Sequence, residues 1–288
     1  MLATLTAIAA ALLAAILLVA TYYFQATRRI SRDAEHAVPP RGSFVAVEGC
    51  DIHYVERGQG QPIVLIHGLG GTLHHMRRPL MEEFGDGYRL IALDRPGSGY
   101  STRPTGLDGR LSEQARLIAG FIDALGLERP LLVGHSLGGA VALATALHYP
   151  DKVAGLALLA PLTQQEDRVA PEFRGLEIRS PLLRRIVSET VAVPTSLKMA
   201  EQTLSFIFGP QKPPQDYAVA GGAMAALRPS HFRATSTDLV ALRHDMPGLA
   251  TRYGEIAVPA GILFGSADKV LDHKRHGTGM EGRIAGLD

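Results

Sequence analysis

The sequence has one cysteine, Cys50, and no tryptophan. A single thiol excludes an internal disulfide and any cysteine-built metal cluster. No sign of charge dominates: 29 Lys and Arg meet 28 Asp and Glu, a formal net charge of +1. That balance gives no argument for a nucleic acid or an acidic partner. Charge is missing altogether from Leu2 to Phe24. At about 1.5 Å per residue, such a run is long enough to cross a bilayer core as a helix. Tyr22 and Tyr23 sit at its end, where aromatic rings favour the interface, and Arg28, Arg29 and Arg32 follow. A cleaved secretory signal would open on a Lys/Arg region and carry a shorter apolar core. Residues 1–24 therefore read as an uncleaved, single-pass anchor in the lipid bilayer. The arginines behind it place the rest of the chain in the cytoplasm.

Residues 25–42 are polar, end in Pro39 and Pro40, and read as a linker. What remains, roughly 250 residues, suffices for one large domain with its own core. Ser43–Val47 and Asp51–Glu56 look like short strands around a turn at Gly49. Pro62–Ile66, Arg89–Leu93, Leu131–Val133, Val153–Leu159 and Ile262–Phe264 are continuous apolar runs, as expected of strands buried on both faces. Helical stretches lie between them, notably Leu111–Leu125 and Gly139–His148. This alternation predicts an α/β fold, a mostly parallel sheet with helices on both faces. Residues 163–235 break the pattern and are too long for a plain connection. They read as a helical cap, with helices at Pro181–Thr190 and Ser196–Phe208, inserted between a first core segment (43–162) and a second (236–288).

The sharpest motif is Gly134-His135-Ser136-Leu137-Gly138, between a buried strand and a helix. A serine there sits on a tight, strained turn that lifts its hydroxyl above the sheet, and only small residues two before and two after it avoid crowding. Ser136 is the expected nucleophile. The loop His67-Gly68-Leu69-Gly70-Gly71 ends the Pro62–Ile66 strand. Its glycines, Gly68 and Gly70 among them, let it aim a backbone N–H at a substrate oxygen, so the amides of Leu69 and Leu137 are the expected oxyanion hole. His67 reads as a brace for this loop rather than a base, and His135 as packing beside the elbow. Asp94 to Ser101 forms a glycine-rich rim loop whose serines lack the elbow context. In Gly265-Ser266-Ala267-Asp268 the acid either orients a histidine or caps a helix. Asp268 is the expected acid, with Asp272 as fallback.

Together these motifs resemble the α/β-hydrolase family, in its capped esterase and lipase branch, over about Phe44 to Asp288. The resemblance implies a Ser–Asp–His triad, an acyl-enzyme and no cofactor. An anchor ahead of such a domain is similar to membrane-bound monoacylglycerol lipases. Relatives that cleave carbon–halogen bonds or epoxides carry an aspartate where this chain has Ser136. The family's histidine follows one more helix and strand beyond the acid. Lys269 to Ile284 is expected to hold about one helix, with the last strand beginning where the sequence stops, so the histidine and the final elements are expected to be lacking and the Ile262–Phe264 strand left as an open edge. His273 and His276 fall too near Asp268 in sequence, and His276 is the one weak candidate for the base. The reading is a membrane-anchored serine hydrolase of small apolar esters. Alternatives are an impaired fragment or a non-catalytic binder of an apolar ligand, and other chemistry on the fold, such as C–C hydrolysis or perhydrolysis.

Overall fold

The computed structural model describes residues 1–288, Pro79 excepted. It opens with one helix, α1 (Leu2–Ala37), of 36 residues. The expected linker is therefore mostly helix. No glycine or proline interrupts the chain before Pro39, and a stripe of residues at helical spacing gives its second half something to bury. Thr27, Ser31 and Ala34 are buried. The Thr27 hydroxyl donates to the Thr190 carbonyl and Ser31 Oγ to the Leu227 carbonyl at 3.0 Å. The first half of α1 is exposed, and by length and composition it is apolar enough to cross a membrane.

Seven strands follow: β1 (Ser43–Val47), β2 (Cys50–Arg57), β3 (Gln61–Ile66), β4 (Tyr88–Leu93), β5 (Leu131–His135), β6 (Gly155–Leu159) and β7 (Ala260–Leu263). They form one sheet in the order β1-β2-β4-β3-β5-β6-β7. β1 and β2 pair antiparallel, as does β2 with β4, and the other pairs are parallel. The apolar run of β3 serves two cores at the pleat's period of two. Val64 and Ile66 join the larger cluster, with Phe121 of α2 (Leu111–Ala124) and Val141 of α3 (Leu137–His148); Ile63 and Leu65 join the smaller, with Leu73, Met76 and Met81.

The insertion between β6 and β7 carries α4 (Pro181–Val187), α5 (Val193–Lys198), α6 (Ala200–Ile207) and α7 (Pro229–Ala250). Pro181 stands in the first turn of α4 and Ser180 caps it, accepting from Leu183 N at 3.3 Å. The expected helix to Thr190 is shorter because a wide turn over Ser188–Ala192 interrupts it, and the expected helix Ser196–Phe208 is split at Met199. The cap boundary at residue 235 falls inside α7, which starts above the sheet's end and finishes with Met246 and Leu249 in the main core. Residues 269–284 hold only single turns at His273–His276 and Thr278–Met280, where the expectation was one helix; four glycines between 277 and 286 deny it continuity. The last residues run parallel beside β7: Ile262 N donates to Asp288 O and Asp288 N to Ala260 O, both at 2.9 Å. The edge expected to be open is thus engaged at Ala260 and Ile262.

Ala34 is fully buried where α1 meets the cap and its neighbours. Ala34→Leu overfills that contact and should cost about 1–3 kcal/mol in urea unfolding of the detergent-solubilised chain.

Candidate active site

Ser136 lies between β5 and α3 with φ 53° and ψ −119°, a region non-glycine residues rarely occupy. The turn is held from three sides. Ser136 N donates to Leu159 O at 3.0 Å, and its carbonyl accepts from Gly139 N at 2.9 Å and Leu162 N at 3.0 Å. A Cβ at Gly138 would stand 2.2 Å from Ile66 O, and one at Gly134 2.5 Å from Gly138 O. Both glycines are therefore required by close backbone approach.

Ser136, Leu69, Leu137 and Asp268 line one cavity of about 1440 Å³ beneath the cap. The amides of Leu69 and Leu137 donate to no other group among the described residues. What aims the Leu69 amide is the peptide before it. The Gly68 carbonyl accepts from His67 Nδ1 at 2.8 Å, Arg95 Nη2 at 3.1 Å and Gly71 N at 3.2 Å. In a trans peptide the carbonyl and the following N–H point in opposite directions. Pinning the Gly68 oxygen toward Arg95 thus turns the Leu69 N–H the other way.

His67 is the brace the sequence suggested. Its Nε2 accepts from Arg95 N at 2.9 Å while its Nδ1 donates, so the ring is neutral, and burial next to Arg95 pushes its pKa well down. Sequence reasoning missed the groups behind it. The buried Arg95 guanidinium also donates to His67 O at 3.0 Å, to Gln114 and to Asp238 Oδ2 at 2.7 Å; Arg103 takes the other Asp238 oxygen at 2.7 Å. His231, on α7, donates from Nε2 to Gly70 O at 3.1 Å and accepts Gly99 N at Nδ1 at 3.0 Å. Asp94 is structural: it accepts from Leu73 N at 2.7 Å, Tyr100 N at 3.0 Å and His53 Nδ1 at 2.7 Å. Ser98 and Ser101 are buried in that loop.

Of its two anticipated roles Asp268 shows the capping one. Its Oδ1 caps the following turn, accepting from Val270 N at 2.8 Å and Leu271 N at 3.1 Å, and the residue faces the cavity. Asp272 only caps the turn after it, accepting from Lys274 N at 2.9 Å, and stands outside the cavity lining. His276 does not reach Ser136. It is fully buried, its Nδ1 accepts from Thr163 N at 3.1 Å and its Nε2 meets the Glu166 carboxylate, so neither nitrogen is open to a serine. The histidines that do line the cavity are His74, His75 and His135. His135 is open to the cavity yet deep under the cap, and burial lowers its pKa, against a smaller opposing pull from Asp268. His75 is lowered to about 3 by burial, and its Nε2 meets the Tyr217 hydroxyl at 2.8 Å. Among the described residues no histidine bridges Ser136 and Asp268.

A family model described as the alpha/beta hydrolase fold matches residues 61–177. The chain aligns along its whole length, and along 88% of the other, with the crystal structure of a membrane phospholipase A at a TM-score of 0.65 and 27% identity. The chain has the α/β-hydrolase fold. Among curated relatives, this α/β-hydrolase is 40% identical over 107 residues to haloalkane dehalogenase 2 of Mycobacterium tuberculosis (strain ATCC 25618 / H37Rv), covering 37% of this chain and 37% of that protein. The chain therefore spans little more than a third of that relative in the match. It is 29% identical over 227 residues to a 2-hydroxy-6-oxononadienedioate/2-hydroxy-6-oxononatrienedioate hydrolase of Paraburkholderia phymatum, covering 76% and 75% of the two chains.

Arg95→Met leaves Asp238 and two carbonyls short of their buried partner, and should cost about 3–5 kcal/mol of stability in denaturant titration. A second expectation concerns pH. Burial lowers His231 to about 4, from 6.5, and lowers His75 further. Between about pH 6.5 and 4 the unfolded chain then binds more protons than the folded one, so stability falls as the pH is lowered through that window. His231→Gln, which does not titrate, should make the fall shallower in denaturation measured at each pH.

Proposed function

We propose that this α/β-hydrolase is a membrane-anchored serine hydrolase that cleaves apolar acyl esters through an acyl-enzyme on Ser136. The observation that carries the reading is a serine at positive φ facing a large cavity between two unengaged backbone amides. Ser136 Oγ attacks the ester carbonyl and the Leu69 and Leu137 amides receive the oxygen as it gains charge, while the serine proton would go to the histidine that the family resemblance implies beside Asp268, a place no described histidine occupies. The histidine's place between Ser136 and Asp268 follows from the family resemblance. The cavity supports a bulky acyl group: Leu162, Val169, Phe173, Ile207 and Phe208 contribute its apolar wall. A serine in place of the aspartate expected of carbon–halogen cleavage favours acyl transfer over dehalogenation. The anchor reading of residues 2–24 is supported by the alignment of the whole chain with a protein named a membrane phospholipase A. Arg28, Arg29 and Arg32 favour a cytoplasmic domain.

The long match to a 2-hydroxy-6-oxo acid hydrolase favours C–C bond hydrolysis as the second reading. Both use the same serine, so substrate separates them. With p-nitrophenyl esters of rising acyl length and a vinylogous diketone in parallel, esters should be the better substrates. Ser136→Ala should remove whatever ester turnover the chain supports and abolish covalent labelling by a fluorophosphonate. Labelling that survives in Ser136→Ala would sink the assignment.

A further inference from the structure

The cap carries large apolar side chains that nothing in the fold covers. Leu182, Leu183 and Ile186 on α4 are 69%, 51% and 53% exposed, and Val191 and Leu197 extend the surface toward α5. On α4 these project outward while Arg184 turns inward, donating to Ile178 O at 3.1 Å and to Ser236 and Thr237 at 3.0 and 2.8 Å. Arg184 thus fixes the rotation of the short helix and holds its apolar side outward.

The position of this face along α1 decides what meets it. The Ser188–Ala192 turn and α5 lie against α1. On α1 the half-buried positions begin at Ala20 and Tyr23, before the charge-free run ends at Phe24. The cap therefore overlaps the last turn of the apolar run, roughly 6 Å of helix. A bilayer that encloses Leu2–Phe24 has its surface at the level of α4 and α5. Basic side chains surround the apolar ones: Arg185 and Lys198 on the cap, and Arg28, Arg29 and Arg32 on α1, are exposed. Apolar side chains ringed by Lys and Arg are the pattern of an element lying in the interface of an anionic membrane.

We propose that the outer face of α4 and α5 docks on the phospholipid surface beside α1, a second contact lying in the membrane plane. This rests on the reading of α1 as a bilayer anchor. Its consequence is a short route for an apolar substrate. Ile207 and Phe208, which close α6 just after this face, line the cavity above Ser136.

The test uses the full chain in vesicles of phosphatidylcholine and phosphatidylglycerol. An environment-sensitive fluorophore is attached to Leu183→Cys or Ile186→Cys; Cys50 is fully buried and stays unlabelled in the folded chain. Tyr88→Cys, at the opposite end of the sheet, reports the water-facing side, and Leu13→Cys reports α1 itself. Labels at 183 and 186 should be quenched by doxyl-labelled lipid at least threefold more than the label at 88, and less by aqueous iodide. Equal quenching at 183, 186 and 88 overturns the proposal. So does shielding that appears only as protein is raised at fixed lipid, which marks a second copy on this face. Quenching at 13 without quenching at 183 and 186 leaves the anchor standing and removes the docking face; no quenching at 13 removes the anchor reading itself.

Discussion

The orientation of one peptide, Gly68–Leu69, is the constraint on which the site depends. Three donors converge on the Gly68 carbonyl, and the strongest is a guanidinium sealed from water. Flipping that peptide would strip the carbonyl of all three bonds and turn it toward the cavity that Ser136 lines. Each lost bond to a buried group costs about 1–3 kcal/mol, so the arrangement is set before any substrate arrives. Preorganised dipoles of this kind are effective because they need no rearrangement as charge develops. The price is a buried arginine, offset here by Asp238, Gln114 and two carbonyls.

How much of this was legible in the sequence follows from range. Ser136, Gly134 and Gly138 declare themselves because the elbow is local: five residues, one strand before, one helix after. The strands of the sheet are legible for the same reason, since each is a short run bounded by turn residues. Arg95 was passed over as part of a rim loop because its partners Gln114 and Asp238 lie 19 and 143 residues away. His231 was invisible for the same reason. Nothing around it in sequence says that its ring spans Gly70 and Gly99. Residues 25–42 read as a linker from their polar composition, whereas Thr27, Ser31 and Ala34 are spaced for one buried helical face. The helix expected near the C-terminus failed on glycine content, a local signal that was available. His276 is near Asp268 in sequence, but what removes it from the chemistry is Thr163 and Glu166, both more than 100 residues away.

The cap does more than cover a cavity, because its last helix is built into the machinery below. From α7, Asp238 holds Arg95 and His231 holds Gly70, so the Gly68–Gly70 loop is clamped from that helix on two of its carbonyls, directly at Gly70 and through Arg95 at Gly68. At the head of α7, Arg228 donates to Glu35 of α1 at 2.9 Å and to the Gly99 carbonyl, and its guanidinium lies 4.4 Å from the Tyr100 ring centre. Gly99 then gives its N–H to His231. A continuous set of hydrogen bonds thus runs from the second half of α1 through Arg228, Gly99 and His231 to Gly70. Every ring nitrogen in it has a fixed partner, and His231 is held neutral, so near neutral pH the path has no titration to loosen it. The second half of α1 and the Gly68–Gly70 loop are therefore joined by one hydrogen-bonded path, in which Arg228 and His231 are the two bridging side chains.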